Sequence, residues 1–329
     1  MDDAPLERRP AHMNSSFGQP ELSVIFPTDT YETIKPGLTK LRQQTIAGRI
    51  EVILVAPSAK TLAPAMGYES DFAALRIIEV SSISPLGIPR ATGVRAATAP
   101  FVFVGETHSF LHTDAAGKLL GTMVEGHWDG VTPGFENGNP NGVLSWSGFL
   151  AAYGRWSATL PAGEIEEAPV YDTLYRRDVL MEMGERLVPM LSGGDDLRRA
   201  LQGRGRRLYF CPMARIDHLN LARPRPWLHE HFLIGLMIGS RRARSWPWWR
   251  RLGYIASAWL IPLILFRRSW SGVRQVAKAR QLPAGTIPAI FLIYTAKAAG
   301  ELVGYAGGGN ANYEEVMNHY EVRRIDYLA

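Results

Sequence analysis

One cysteine, Cys211, stands in a chain of 329 residues, which excludes an internal disulfide framework. It lies in the strand-like run LYFCP and so reads as a small buried hydrophobe in a reducing, cytoplasmic compartment. Charge is scarce as well: 20% of the residues are charged and 46% hydrophobic. That balance excludes a disordered or fibrous chain and leaves an ordered globular one. The opening stretch MDDAPLERRPAHMNSS has no apolar centre; it matches neither a secretory signal nor a transit helix, and residues 1–20 read as a flexible segment. No stretch makes a clean membrane-spanning helix. Residues 254–266 are too few for the ~20 that a span needs, and residues 287–305 contain Lys297 and Glu301. Internal repeats and low-complexity tracts are absent.

Lysine and arginine total 36 against 31 acidic residues, a mild excess, but the arginines are unevenly placed. Arg241, Arg242, Arg244, Arg250 and Arg251 surround Trp246-Pro247-Trp248-Trp249, and Arg267 and Arg268 close the apolar run that follows. Indole rings settle at headgroup depth and arginines pair with lipid phosphates, so this region is expected to lie on a membrane surface. A nucleic-acid partner is not expected, because the cations flank apolar helices instead of lining a polar groove with spaced aromatics.

From Glu21 onward, short β-branched runs alternate with amphipathic helical stretches, the pattern of strands joined by helical crossovers in a mostly parallel sheet. Strands are expected at 22–26 (LSVIF), 52–56 (VILVA), 75–80 (LRIIEV) and 101–104 (FVFV), and helices at 31–44 and 89–98. Ligands of open α/β sheets bind beyond the carboxyl ends of the strands; those ends carry Thr28 with Asp29, Ser58, and Glu106 with His108. After Asp114 the periodicity fades, and GFENGNPNG (134–142) reads as a loop by composition. Helical periodicity returns at 177–186, at 195–202 and from Trp227 on, broken at Pro247, Pro262, Pro283 and Pro288. The division is an α/β domain over 21–226 and a helical, membrane-associated region over 227–329.

Three segments follow one another in order: a strand, the Pro27-Thr28 turn, a helix and a second strand with Glu51 before it; then GIPRATGVRAATAPFVFV (87–104); then SGGDDLRRALQGRGRRLYFCPMARIDH (192–218). Together they resemble the family-two glycosyltransferases. The C-terminal third resembles the membrane-proximal tails of some bacterial members. The resemblance implies a GT-A-like, Rossmann-like α/β fold, a mostly parallel central sheet flanked by helices, with a C-terminal helical region. It implies an inverting transfer of a hexose from a nucleotide-sugar, UDP- or GDP-linked, to a hydroxyl of a lipid-linked or polysaccharide acceptor. The protein is then expected to be peripheral on the inner face of the cell membrane.

In that chemistry a divalent metal bridges the departing diphosphate as Lewis acid and template. Where the family has two carboxylates after the fourth strand, this chain has Gly105-Glu106-Thr107-His108. The resemblance therefore implies Glu106 and His108 as ligands, with His218 as a third and Asp217 orienting its ring. One carboxylate with imidazoles shifts preference from Mg2+ towards Mn2+. The family's catalytic base falls on Asp195-Asp196, with Asp196 favoured over Asp195; helix capping would explain one of the two. Pro27 and Thr28 would shape the nucleotide base pocket and Arg90 would meet base or phosphate, while Arg95, off that face, reads as a solvated helix residue. The chain departs from the family at Thr92, where asparagine is usual, and at Ala56-Pro57, where aspartate is usual. Asp172 would contact a sugar or cap a surface turn. Two other readings are a catalytically inactive membrane-bound binding protein, suggested by the altered metal motif, and a nucleotidyltransferase, against which the missing Gly-rich loop after Phe26 counts.

Overall fold

The computed structural model describes residues 18–307 and 312–328; residues 1–17, most of the expected flexible segment, lie outside them. The chain opens with β1 (Leu22–Pro27), buried at every position, as a strand must be when helices cover both faces of a parallel sheet. Then come α1 (Tyr31–Leu41), β2 (Ile50–Ala56), β3 (Ala74–Glu79), α2 (Gly87–Ala96) and β4 (Phe101–Val104). β1 lies between β2 and β4, and β3 flanks β2, all parallel. Alternation along β1 sorts its side chains: Val24 and Phe26 pack into the core that holds Ile34 and Leu38 of α1, and Ile25 into the one that holds Ala91 and Val94 of α2. Glu51 is inside β2 and buried; it accepts from the Ser23 hydroxyl and from the Thr98 N–H at 2.8 Å, and pairs with Arg76 at 2.5 Å. One carboxylate thus ties β1, β3 and the exit of α2 together.

Next follow β5 (Ser109–Leu111), α3 (Ala115–Gly126), β6 (Gly130–Asn137), α4 (Val143–Tyr153), β7 (Gly163–Ile165) and β8 (Leu174–Arg176). α5 (Arg177–Met181), α6 (Leu187–Leu191), α7 (Asp196–Gly203) and β9 (Leu208–His218) complete this part. Among the described residues the sheet runs β3-β2-β1-β4-β8-β6-β9-β5, with β7 paired to β9. β8 is antiparallel to both β4 and β6, so the sheet is parallel in its first half and mixed in its second. Two expectations are corrected here. α3 starts directly after Asp114, and residues 134–137 of the expected loop extend β6. Glycine at 134 serves a bulge: the β9 partner jumps from Cys211 to Arg215 between Pro133 and Gly134, and a Cβ on Gly134 would lie 2.8 Å from Ala158 Cα and 2.9 Å from Pro212 Cα.

The rest is helical: α8 (Pro224–Ser245), α9 (Trp248–Ser257), α10 (Ile261–Ala279), α11 (Thr286–Tyr305) and α12 (Asn312–Val322). Pro247 precedes α9, Pro262 opens α10 and Pro283 precedes α11, as expected; Pro288 falls inside the first turn of α11, where its missing N–H breaks nothing. α8 and α11 meet at backbone contact. A Cβ on Gly235 or Gly239 would overlap the carbonyls of Lys297 and Glu301, and one on Gly300 or Gly304 would overlap the backbone of α8. Among the described residues α11 is the one helix long and apolar enough to cross a membrane; it packs against α8, α4 and α10.

Candidate metal centre and active site

β4 ends against β1, and the chain turns at the carboxyl edge of the sheet before β5 pairs with β9. Gly105 fits that turn because a Cβ there would lie 2.5 Å from the Phe26 ring. Ser109 then pairs with His218, and the Leu219 N–H donates to His108 O at 3.0 Å, which brings the two histidines side by side. Glu106, His108 and His218 are buried, and their facing atoms form a triangle. His108 Nε2 is 3.2 Å from His218 Nε2, and each of these nitrogens is 3.5 Å from Glu106 Oε2. Atoms bound at ~2.1 Å to one cation lie ~3.0–3.4 Å apart at octahedral or tetrahedral angles. The triangle has the size of one face of a metal's coordination shell.

The protonation state of His218 follows from its neighbours. Asn220 Nδ2 donates at 3.0 Å both to Asn137 Oδ1 and to His218 O, which turns Asn220 Oδ1 towards His218 Nδ1 at 3.1 Å. An amide oxygen only accepts, so Nδ1 carries the proton and Nε2 presents a bare lone pair to the triangle. Burial holds His218 neutral, its pKa pushed down to about 3, and burial lowers His108 in the same direction. Asp217 does not orient this ring. Adjacent strand residues face opposite sides, and Asp217 pairs instead with His112 at 3.2 Å.

The triangle and its surroundings hold four carboxylates, of Glu106, Asp172, Glu230 and Glu321, and two guanidiniums, of Arg90 and Arg324. Fully ionised, the six carry a surplus of two negative charges, which one divalent cation would cancel. Burial pushes Glu106 up to about 7, with Asp172 adding to the shift, and burial pushes Glu321 to about 7 and Asp172 to about 6. Asp172 is wholly buried, with φ 56° in the left-handed region, and its N–H donates to Val104 O at 2.8 Å. The surface-cap reading of Asp172 is thereby corrected. Tyr153 of α4 tilts against His218, ring centroids 4.2 Å apart, with its hydroxyl 3.5 Å from Glu106 Oε2.

The segment from α12 through the turn Arg324–Tyr327 runs across the carboxyl edge of β1 and β4. Val322 O accepts from Thr107 Oγ1 at 2.7 Å, Arg323 pairs with Asp29 at 2.6 Å, and Asn318 Nδ2 donates to Ser84 Oγ at 2.8 Å. Arg324 is held between Glu230 at 2.6 Å and Glu321 at 2.9 Å. The helices after residue 226 therefore supply part of the site's charge.

The other expected residues fall as follows. Pro27 closes β1 and Thr28 follows it, both buried. Arg90 is buried in α2, its guanidinium stacked 4.1 Å over Tyr171, 3.6 Å from Glu321 and 4.0 Å from Glu106. It sits at the metal end of the crevice. Arg95 is part-exposed and 3.7 Å from Glu185. A cavity of about 310 Å³ opens over His218, bounded by Tyr153, Asn220, α8, α12 and the loop Gly193-Gly194-Asp195. Asp195 lines it; Asp196 does not, and pairs with Arg199 at 2.5 Å on the exposed side of α7. Glu321, Arg324, Glu230 and Asn220 carried no motif. The one available signal was His218-X-Asn220, a ligand followed at period two by its own orienting amide.

The sequence matches no family model and no curated protein. Among solved structures, the chain is similar to the mannosyltransferase PcManGT from Pyrobaculum calidifontis in complex with GDP-Man and Mn2+. The identity is 14% over 87% of this chain and 88% of that one, with a TM-score of 0.52. S. aureus TarS, residues 1–349 in complex with UDP, aligns at 15% identity over 91% of each chain with a TM-score of 0.47. At such identity the similarity is one of fold: a curled α/β sheet of GT-A type, helices on both faces, and a helical C-terminal region.

Proposed function

We propose that this chain is an inverting glycosyltransferase that moves a hexose from a UDP- or GDP-linked sugar to a hydroxyl of a lipid-linked or polysaccharide acceptor. Its divalent metal would be held by Glu106, His108 and His218. The observation that carries the reading is the ligand triangle with the bare His218 Nε2, placed at the carboxyl edge of a sheet whose fold is shared with a mannosyltransferase that holds GDP-Man and Mn2+. Two imidazoles and one carboxylate favour Mn2+ over Mg2+. When bound, the ion supplies positive charge to the departing diphosphate. Arg90 and Arg324 lie beside Glu106 and stabilise the same leaving group. Pro27 and Thr28 are the wall for the nucleotide base.

Asp195 is the general base in this reading, supported by its position on the cavity after two glycines in the left-handed region. It takes the proton of the acceptor hydroxyl while that oxygen attacks the anomeric carbon and the carbon–phosphate-oxygen bond breaks. Asp196, held by Arg199, then steadies the start of α7. Peripheral placement on the inner membrane face is supported by Trp248, Trp249, Trp259 and Leu263, all more than half exposed on the C-terminal helices beside the arginine clusters.

The test is turnover of a panel of UDP- and GDP-linked sugars with Mn2+ or Mg2+. Release of nucleoside diphosphate is expected with Mn2+ for at least one donor, and a fall of about 100-fold or more in Asp195→Asn and in Glu106→Gln. A wild-type protein that binds and turns over no donor ends this reading; a fully active Asp195→Asn moves the base elsewhere.

A further inference from the structure

The cavity over His218 holds polar groups that nothing in the protein satisfies. Trp227 and His231 sit one turn apart on α8, 3% and 5% exposed, and both line the cavity. The indole Nε1–H and both ring nitrogens of His231 lack a hydrogen-bond partner. Leaving buried polar groups unpaired is costly, so three such atoms on two side chains that line one cavity mark these side chains for a ligand.

Their chemistry selects the ligand. Burial holds His231 neutral, its pKa lowered to about 4, so it offers one donor and one acceptor. A hydroxyl is likewise both. Phosphate would call for a cation on this wall, and neither Trp227 nor the neutral His231 carries one. Trp227 adds an aromatic ring for the C–H face of a sugar. Beyond it Ile234, Met237 and Met317 make the far wall apolar.

Topology separates this wall from the donor's nucleotide. β1, beside which the nucleotide base is proposed to lie, and β9, which leads into α8, lie on opposite sides of β4 in the sheet; the ligand triangle reaches from the turn after β4 to the end of β9. Asp195 borders the same cavity. We infer that the α8 side of the cavity is the subsite for the acceptor's neutral sugar, with Trp227 and His231 binding its hydroxyls and the aliphatic wall meeting an apolar aglycone. The inference rests on the glycosyltransferase reading.

Two variants probe it. At Gly148 a Cβ would find nothing nearer than Trp227 Nε1 at 3.8 Å, so Gly148→Ala fits the fold and covers the indole N–H. His231→Phe keeps the ring and removes both nitrogens. Hexyl β-glycosides of glucose, galactose, mannose and N-acetylglucosamine are titrated by saturation-transfer NMR, and nucleotide-sugar binding with Mn2+ is measured in parallel. At least one glycoside is expected to bind the wild type and to lose about tenfold affinity in each variant, with nucleotide-sugar binding within twofold of wild type. Failure of every glycoside to bind, or equal binding to all three proteins, overturns the subsite. Loss of nucleotide-sugar binding in the variants instead assigns the wall to the donor's own sugar and overturns it too. A wild type that binds no nucleotide-sugar at all is a failure of the parent reading, separately visible.

Discussion

At His218 the proton is placed by Asn220, and Asn220 is placed by two further asparagines: Asn137 accepts from its side chain and Asn139 from its backbone N–H at 2.8 Å. Outer groups of this kind tune ligand strength about 10–100-fold. Asn220→Ala is expected to weaken Mn2+ binding by that factor, read from the EPR signal of free Mn2+ during titration. Asp217→Ala, on the other face of β9, is expected to leave it unchanged, and an equal loss in both would point to general destabilisation. Glu106 and His108 stood out in the sequence at the end of an expected strand, and His218 through the resemblance to the family-two glycosyltransferases. Their arrangement was not legible: Asp217 looked like the orienting partner until the strand's alternation sent it to the opposite side, and Asn137 and Asn139 read as turn residues.

β1 to β4 and the intervening helices could be read from apolar runs because a sheet covered on both faces demands them. β6 could not, since its Gly134 answers a bulge in its neighbour and composition alone gives a bulge and a loop the same glycine. α8 and α11 show a similar ambiguity, for their glycines look like helix weaknesses and are in fact the contact surface. Gly235→Ala would gain helix propensity of up to ~1 kcal/mol on an open face, yet here its Cβ meets the Lys297 carbonyl, so a loss of about 1–3 kcal/mol or more is expected. Gly253, with nothing within 4 Å of its Cβ, is the control: Gly253→Ala should hold or raise the melting temperature. Matching melts for the two variants would contradict the close crossing of α8 and α11.

The molecule as a whole presents its large exposed apolar side chains chiefly on α9, α10, α11 and the turn that carries Trp259. Flotation with anionic liposomes is expected to carry the wild-type protein upward. Replacing Trp248, Trp249 and Trp259 by serine is expected to reduce the bound fraction about tenfold or more, and salt to weaken binding through the arginines. Binding that ignores all three tryptophans would remove this surface from the reading. The division of the chain at 226, natural from composition, does not divide the site, because charge and hydrogen-bonding pattern are blind to which distant helix returns to a crevice.

That return has a consequence in time. Thr107 and Val322 are joined across 215 positions, and Asp29 and Arg323 across 294. Contacts so remote in sequence form late, after the loop-closure entropy of nearly the whole chain has been met. A nascent chain can assemble its sheet and even its histidine pair while α12 is still unmade, but the crevice gains Glu321 and Arg324 only when synthesis has passed them. Maturation of the site is thereby coupled to completion of the helical region, so that a half-made chain holds an unfinished crevice.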